Sequence, residues 1–310
     1  LDLVVEDAVY LGTLYEILTA TGGIHGSFGE LETEYPLLTI QSRVQGNGLS
    51  FVADRNIVAM SAFAQSGNQI AVANAIDAQT SGDEPFDTVV LQTNSAVLPG
   101  IFQSLSGEIY ATNQAVLLKD SSSVRQALQW RMQDSRSNSS LSRQRTGQVN
   151  SDTTAWVQVL SRWDNLSASA DASSATASSS GLVMGVDHRL NPDSRLGLAL
   201  GFTNTDTSVS SNLATSQGYH LAIYGTVQTA SVRLSAGGTQ SWYETDVSRQ
   251  LPANFGSTSG SPNSNATQLF AEVGLPLTAG RTVWQPFVNL SQAWLRMGGF
   301  QETGGSAALS

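Results

Sequence analysis

The sequence predicts a mainly β chain whose second half is a transmembrane antiparallel β-barrel, and three observations carry that expectation. From Ala155 onward, seven short segments alternate apolar residues with small or polar ones. The connections between these segments alternate between short and long. Aromatic residues, namely Trp156, Trp163, Phe202, Tyr219, Trp242, Trp284 and Trp294, lie where the girdles of a membrane barrel would form.

The alternation is read strand by strand. Leu182, Met184 and Val186 share a face against Gly185 and Asp187, and Leu196, Leu198, Leu200 and Phe202 oppose Gly197, Ala199, Gly201 and Thr203. The split recurs with Val232, Leu234 and Ala236 against Arg233 and Ser235, and with Leu269, Ala271, Val273 and Leu275 against Glu272 and Gly274. A soluble β-sandwich also has period-two strands, but its exposed face usually carries Lys, Glu and Thr, whereas Gly, Ala and Ser here suit a lumen lining. Asn191-Pro192-Asp193, Thr229-Ala230 and Ala279-Gly280-Arg281 are expected to be tight turns. The polar stretches Asn165 to Ala175, Thr205 to Ser216 and Asp246 to Asn265 are expected to be long loops.

Upstream, the first part of the chain, to about Asp54, is β-rich, with pieces at Leu1 to Val5, Tyr15 to Ala20, Leu37 to Ile40 and Leu49 to Ala53 between glycine turns. The period then becomes helical over Asn68 to Gln79 and Ile101 to Val116. Asp120 and Ser121 to Ser123 are expected to interrupt or cap, with a new helix over about Val124 to Arg136. Ser135 to Asp152 reads as a flexible linker. The divisions are thus 1–65, 66–153 and 154–310.

Composition bounds the function. There is no cysteine, so no disulfide, thiol nucleophile or thiolate metal site. No run of about eighteen apolar residues exists, so a chain that meets a bilayer does so as strands. The net charge of −10 is uneven: residues 1–118 hold 13 acids and 2 bases, whereas residues 119–145 hold 6 bases and 2 acids. An acidic chain lacks the exposed cationic face that nucleic acid needs. The basic island precedes the first barrel strand. It is either a solvated charged helix or a helix inside the barrel, with Arg125, Arg131 and Arg136 meeting the inward Asp187, Arg233 and Glu272. An odd strand number leaves an open edge, so the sequence is expected to be a fragment cut at both ends.

Several motifs then become familiar. Tyr15-Glu16-Ile17-Leu18-Thr19-Ala20-Thr21-Gly22-Gly23 with Gly26-Ser27-Phe28, and Leu105-Ser106-Gly107-Glu108-Ile109-Tyr110-Ala111 followed by Ala115 to Ser121, resemble the passenger end and pre-translocator segment of classical monomeric bacterial autotransporters. Pro286-Phe287-Val288-Asn289-Leu290, Gly299-Phe300-Gln301-Glu302-Thr303-Gly304-Gly305 and Ala307 to Ser310 are similar to a mid-barrel strand and hairpin of that family.

The resemblance implies a Gram-negative outer-membrane translocator of type V secretion, with about seven of the family's twelve strands present and a pore helix near 124–136. It implies that residues 1–65 are the autochaperone-like cap of a β-helical passenger displayed or released at the cell surface. It also implies, as partners, outer-membrane lipid, the barrel assembly machinery, periplasmic chaperones and the chain's own passenger. The alternatives are a soluble secreted β-sheet adhesin fragment, or the export module of a serine protease or esterase whose catalytic passenger lies upstream.

No catalytic, metal or cofactor site is expected in this chain. His25, His188 and His220 are isolated. Gly256-Ser257-Thr258-Ser259-Gly260 has Thr at the nucleophile position, and Gly46-Asn47-Gly48 lacks the third glycine of a dinucleotide loop. Asn204, Asp206 and Ser208 lack the terminal bidentate acid of a calcium loop. For passenger self-cleavage within the lumen, Asp187, Glu272 and the Asn138 or Asn150 region are the only candidates, against the simpler reading that the acids balance arginines.

Overall fold

A computed structural model describes residues 10–26, 31–134, 144–229, 231–252, 255–279 and 282–309. The expected strand Leu1 to Val5, with Ser27, Phe28, Arg136 and Asn138, lies outside the described residues.

The chain opens with a three-stranded antiparallel sheet of β1 (Leu14–Thr19), β2 (Leu38–Gln45) and β3 (Gly48–Arg55), in the order β1-β3-β2. Gly46 and Asn47 turn β2 into β3, with Gly46 at φ +63°, a conformation that disfavours side chains. The helices α1 (Gly67–Asp77), α2 (Glu84–Val90) and α3 (Leu98–Leu105) follow. Ser66 caps α1 by accepting from the Gln69 amide, and a proline opens each of α2 and α3, where its missing N–H costs nothing. Leu37, Leu38, Met60, Ile76, Val89, Phe102 and their neighbours join sheet and helices in one buried core.

The helix α4 (Glu108–Asp134) runs for 27 residues, about 40 Å at 1.5 Å per residue. This corrects the expected interruption at Asp120 and Ser121 to Ser123. Ser122 and Ser123 donate to the carbonyls of Leu118 and Lys119 one turn back, so the hydroxyls are satisfied on the helix itself. Packing of α4 against the sheet then outweighs weak local helix propensity.

The remainder is one antiparallel sheet. Its path is β4 (Arg145–Gln148), β5 (Thr153–Leu166), β6 (Ala175–Asn191), β7 (Ser194–Val209), β8 (Asn212–Gln228), β9 (Arg233–Gln250), then β11 (Asn263–Gly274) and β14 (Phe287–Met297). The short β10 (Ser257–Gly260) joins β9 to β15 (Thr303–Gly304), and β12 (Leu277–Ala279) pairs with β13 (Thr282–Trp284). Part of the expected 135–152 linker is therefore strand β4.

The expected long loop Thr205 to Ser216 is also corrected. β7 continues to Val209, Ser210 and Ser211 make the turn with Ser210 at φ +53°, and β8 starts at Asn212. The polarity of this stretch misled the reading: Thr203, Thr205 and Thr207 turn inward and find hydrogen-bond partners there, and β-branched Thr suits a strand.

All seven long strands, from β5 to β14, touch α4, so the sheet curls around the helix. Among the described residues β4 and β14 do not pair, and the sheet is open. Its convex side carries Leu196, Leu198, Leu200, Leu221, Ile223, Leu234, Leu269 and Val273, each between 45 and 60 % exposed. Phe202, Tyr219 and Trp242 stand opposite one another in a cross-strand row at one border of this band. Beyond it the convex side turns polar, with Asn204, Gln217 and Glu244 in the next row and Asp206, Thr215 and Asp246 in the one after. A continuous apolar band of this size is not sustained in water.

Candidate functional site

The functional region is the concave side of the sheet and the helix within it. At the end carrying the turn at Pro192 and Asp193, Arg131 of α4 donates through Nε and Nη2 to the two oxygens of Asp187, at 2.8 and 3.1 Å. Arg195 Nη1 adds a third contact to Asp187 at 3.2 Å. Both charges are almost fully buried, so the pair resists solvent and is sensitive to losing one partner.

Nearby, Gln133 Nε2 donates to both Glu272 oxygens at 3.1 and 3.2 Å. Arg233 lies 3.9 Å from Glu272 and donates to the Gln133 carbonyl at 3.4 Å. Of the residues singled out from sequence, the structure brings Arg131 to Asp187 and Arg233 to Glu272. Arg125 instead donates to Gln129 on its own helix at 3.0 Å, and Arg136 lies outside the described residues.

Higher in the lumen is a site that the sequence reading missed. Asp120, 1 % exposed, accepts from Ser179 Oγ at 2.6 Å, Thr203 Oγ1 at 2.8 Å, Tyr243 Oη at 3.2 Å and Thr205 Oγ1 at 3.5 Å. His220 Nε2 lies 2.9 Å from Thr203 Oγ1 and its Nδ1 2.8 Å from Ser241 Oγ. Thr203 gives its proton to Asp120, so His220 presents Nε2–H to it. The available signal was inward spacing: Ser179, Thr203 and His220 occupy the same parity as the small lumen residues.

At the end carrying the 298–309 segment, Arg249 Nη1 donates to Glu302 at 2.6 Å, with both side chains fully buried. Tyr110 Oη and the Leu309 amide also donate to Glu302, at 2.6 and 2.8 Å. Burial pushes the Glu302 pKa upward, but hydrogen bonds from Tyr110, Arg249 and Leu309 N, with the Arg249 charge, pull it further down, so it lies below its ordinary value. The Tyr110 phenol is pushed up by burial and by its bond to Glu302. The 167–174 segment is tied in as well, because the Ser173 hydroxyl donates to Glu108 at 2.9 Å and Asp171 accepts from Gly67 N at 2.7 Å.

This arrangement binds a helix along the concave side of the sheet. Among the described residues no group of three metal-ligating side chains occurs. His188 pairs with Thr153 at the turn end, and Asn150 accepts from Asp152 N and Thr153 N in an exposed turn. Asn138 lies outside the described residues, and no candidate self-cleavage constellation of Asp187, Glu272 and Asn150 is assembled among the described ones.

The comparisons with known proteins agree with this geometry. Residues 155–310 match the family described as Autotransporter beta-domain. Two proteins of Serratia marcescens, each called extracellular serine protease, are 27 % and 24 % identical over 96 % and 98 % of the chain, which spans about a third of their length (32 % and 33 %). The fold is similar to the translocator domain of the autotransporter NalP from Neisseria meningitidis, with a TM-score of 0.52 at 14 % identity over 65 % of each chain. This open sheet around a helix, apolar outside and polar within, is thus an autotransporter translocator domain for type V secretion of a passenger across the bacterial outer membrane, and the chain belongs to the autotransporter family.

Proposed function

We infer that in the complete protein the sheet closes as a twelve-stranded barrel around α4, and that α4 is the trailing segment of the exported passenger, left as a plug once export ends. The observation that carries this reading is the ion pair of Arg131 with Asp187, a charged contact between helix and wall inside an apolar shell. A buried charge pair is costly to break, so it suits a helix that stays in the lumen. Residues Arg131, Gln133, Asp187, Arg233 and Glu272 are assigned to holding the lower end of α4. Residues 1–65 serve as the passenger's C-terminal cap.

The similarity to extracellular serine proteases over nearly the whole chain supports a secreted serine protease as the passenger, with its catalytic residues upstream of Leu1. Export draws on folding of the passenger outside, since the chain offers no nucleotide-binding loop. The exposed apolar band would aggregate in an aqueous periplasm, which supports delivery by periplasmic chaperones and insertion by the barrel assembly machinery. The test is conductance of the full-length protein in a planar bilayer. Deleting residues 108–134 is expected to open a persistent channel in a barrel that still shows heat-modifiable migration; a barrel that stays closed without the helix overturns the plug assignment.

A further inference from the structure

We propose that Asp120 is the positioning residue that stops the outgoing chain, a register pin that ends export with α4 at one height in the lumen. This rests on α4 being the lumen-filling trailing segment. Asn113, Asp120 and Arg131 are spaced by seven and eleven residues, which places all three within about 20° of one another around the helix at 3.6 residues per turn. Each meets matched chemistry on the wall. Asn113 accepts from Thr207 at 3.0 Å and donates to Ser216 at 3.1 Å, Asp120 takes the hydroxyl ring, and Arg131 takes Asp187.

Asp120 is the member of this ladder that cannot tolerate a shift. Its carboxylate offers about four lone-pair positions, and donors from β6, β7 and β9 approach both oxygens, with His220 of β8 behind Thr203. A slip of one helical turn is about 5.4 Å, and its side chain is too short to follow its partners over that distance. Arg131 has a long stem with which to follow Asp187.

The wall changes along the path of export. Below the hydroxyl ring, β6 and β7 turn Gly181, Val183, Gly201 and Ala199 inward, while β8 and β9 carry the buried His220, Ser241 and Thr239. Only at the ring do Ser179, Thr203 and Tyr243 approach one carboxylate together. Above, Thr207 and Ser216 hold Asn113 in the resting register, and an outward slip breaks those two bonds as well. Export ends where the cost of leaving the ring exceeds the pull of the folding passenger.

The experiment uses the full-length protein in outer membranes, with paired cysteines reporting helix height. The pair Asn113→Cys with Ser216→Cys reads the resting register, and Leu117→Cys with Ser216→Cys reads a helix drawn outward by one turn. Asp120→Ala is expected to lower the ratio of in-register to shifted disulfide about tenfold, the effect of losing a hydrogen-bonded charged group. Asp120→Asn, which keeps an acceptor, is expected to lower it less. The wall-side double variant Ser179→Ala/Thr203→Val, which leaves α4 untouched, is expected to reproduce the Asp120→Ala shift, and it decides the matter if Asp120→Ala fails to assemble. An unchanged ratio in the folded variants overturns the pin. A heat-modifiable parent barrel in which neither cysteine pair cross-links overturns the lumen placement of α4, and the pin with it.

Discussion

The strands below and above the row of Phe202, Tyr219 and Trp242 share one hydrogen-bonded ladder yet face different surroundings. Below the row, β7, β8 and β9 turn Leu, Ile and Ala outward, while the inward side mixes small residues such as Gly197 and Ala199 with the polar or charged Arg195, His220, Tyr224 and Thr239. Above it, the same strands turn Asn204, Asp206, Gln217, Glu244 and Asp246 outward and bury Val209, Ala214 and Val247 against Ile109 and Tyr110. Outward polarity thus reports the solvent at each height, whereas strand pairing does not. The lower half carries the apolar outer face that suits a membrane wall, and the upper half is polar outside over a packed interior, like a soluble protein.

Four measurements test this contrast, in descending order of their size. Arg249→Ala leaves Glu302 buried without its cation, and a cost of about 3–5 kcal/mol is expected to fall on the upper half alone. Hydrogen exchange is expected to rise in 298–309 and in the first turns of α4, while β7 and β8 below the aromatic row stay protected. Uniform loss across both halves would show that the two do not fold as separate layers.

Ile223→Arg, near the middle of the apolar band, is expected to destabilise the inserted protein by about 2–4 kcal/mol in denaturant titration from lipid vesicles. Thr215→Arg, four outward positions higher on the same strand, is expected to be close to neutral. Equal effects would remove the membrane border from the Tyr219 level. Gly197→Ala tests the tight inner side of the lower half: its Cβ would lie 2.3 Å from the Tyr224 ring, and the overpacking is expected to cost about 1–3 kcal/mol. Pairing it with Tyr224→Leu is expected to recover part of that loss.

The smallest effect is a pH dependence at the upper end. The folded pKa of Glu302 lies below its unfolded value, so this carboxylate stabilises the docked 298–309 segment above about pH 4.3 and the contribution fades as pH falls through the depressed folded value. Acidification from about pH 5 to pH 3 is expected to lower the protection of the Leu309 amide relative to its intrinsic exchange rate, and Glu302→Gln is expected to flatten that response. A wild-type profile as flat as that of the variant would remove Glu302 as the titrating group.

Much of this architecture is legible in the amino-acid order. Strand polarity repeats every two residues and the turns at Pro192 and Thr229 carry their own chemistry, so the seven long strands were readable from local pattern, and the absence of cysteine and of an apolar helix followed from composition. Local pattern misled at Thr205 to Ser216 and at Asp120 to Ser123. There, hydroxyl-rich stretches that usually make loops are held in a strand and a helix by partners elsewhere in the chain.

Which inward groups meet follows from the packing of the whole chain. Tyr110 reaches Glu302 across 192 residues, and Asp120 reaches Tyr243 across 123. Alternation names the side of the sheet a residue occupies, but the height and rotation of a helix within the curled sheet depend on strand stagger and on every contact along the lumen at once. No local period encodes those quantities, which is why the basic island was readable as charge while the buried carboxylate that sits among the hydroxyls was not.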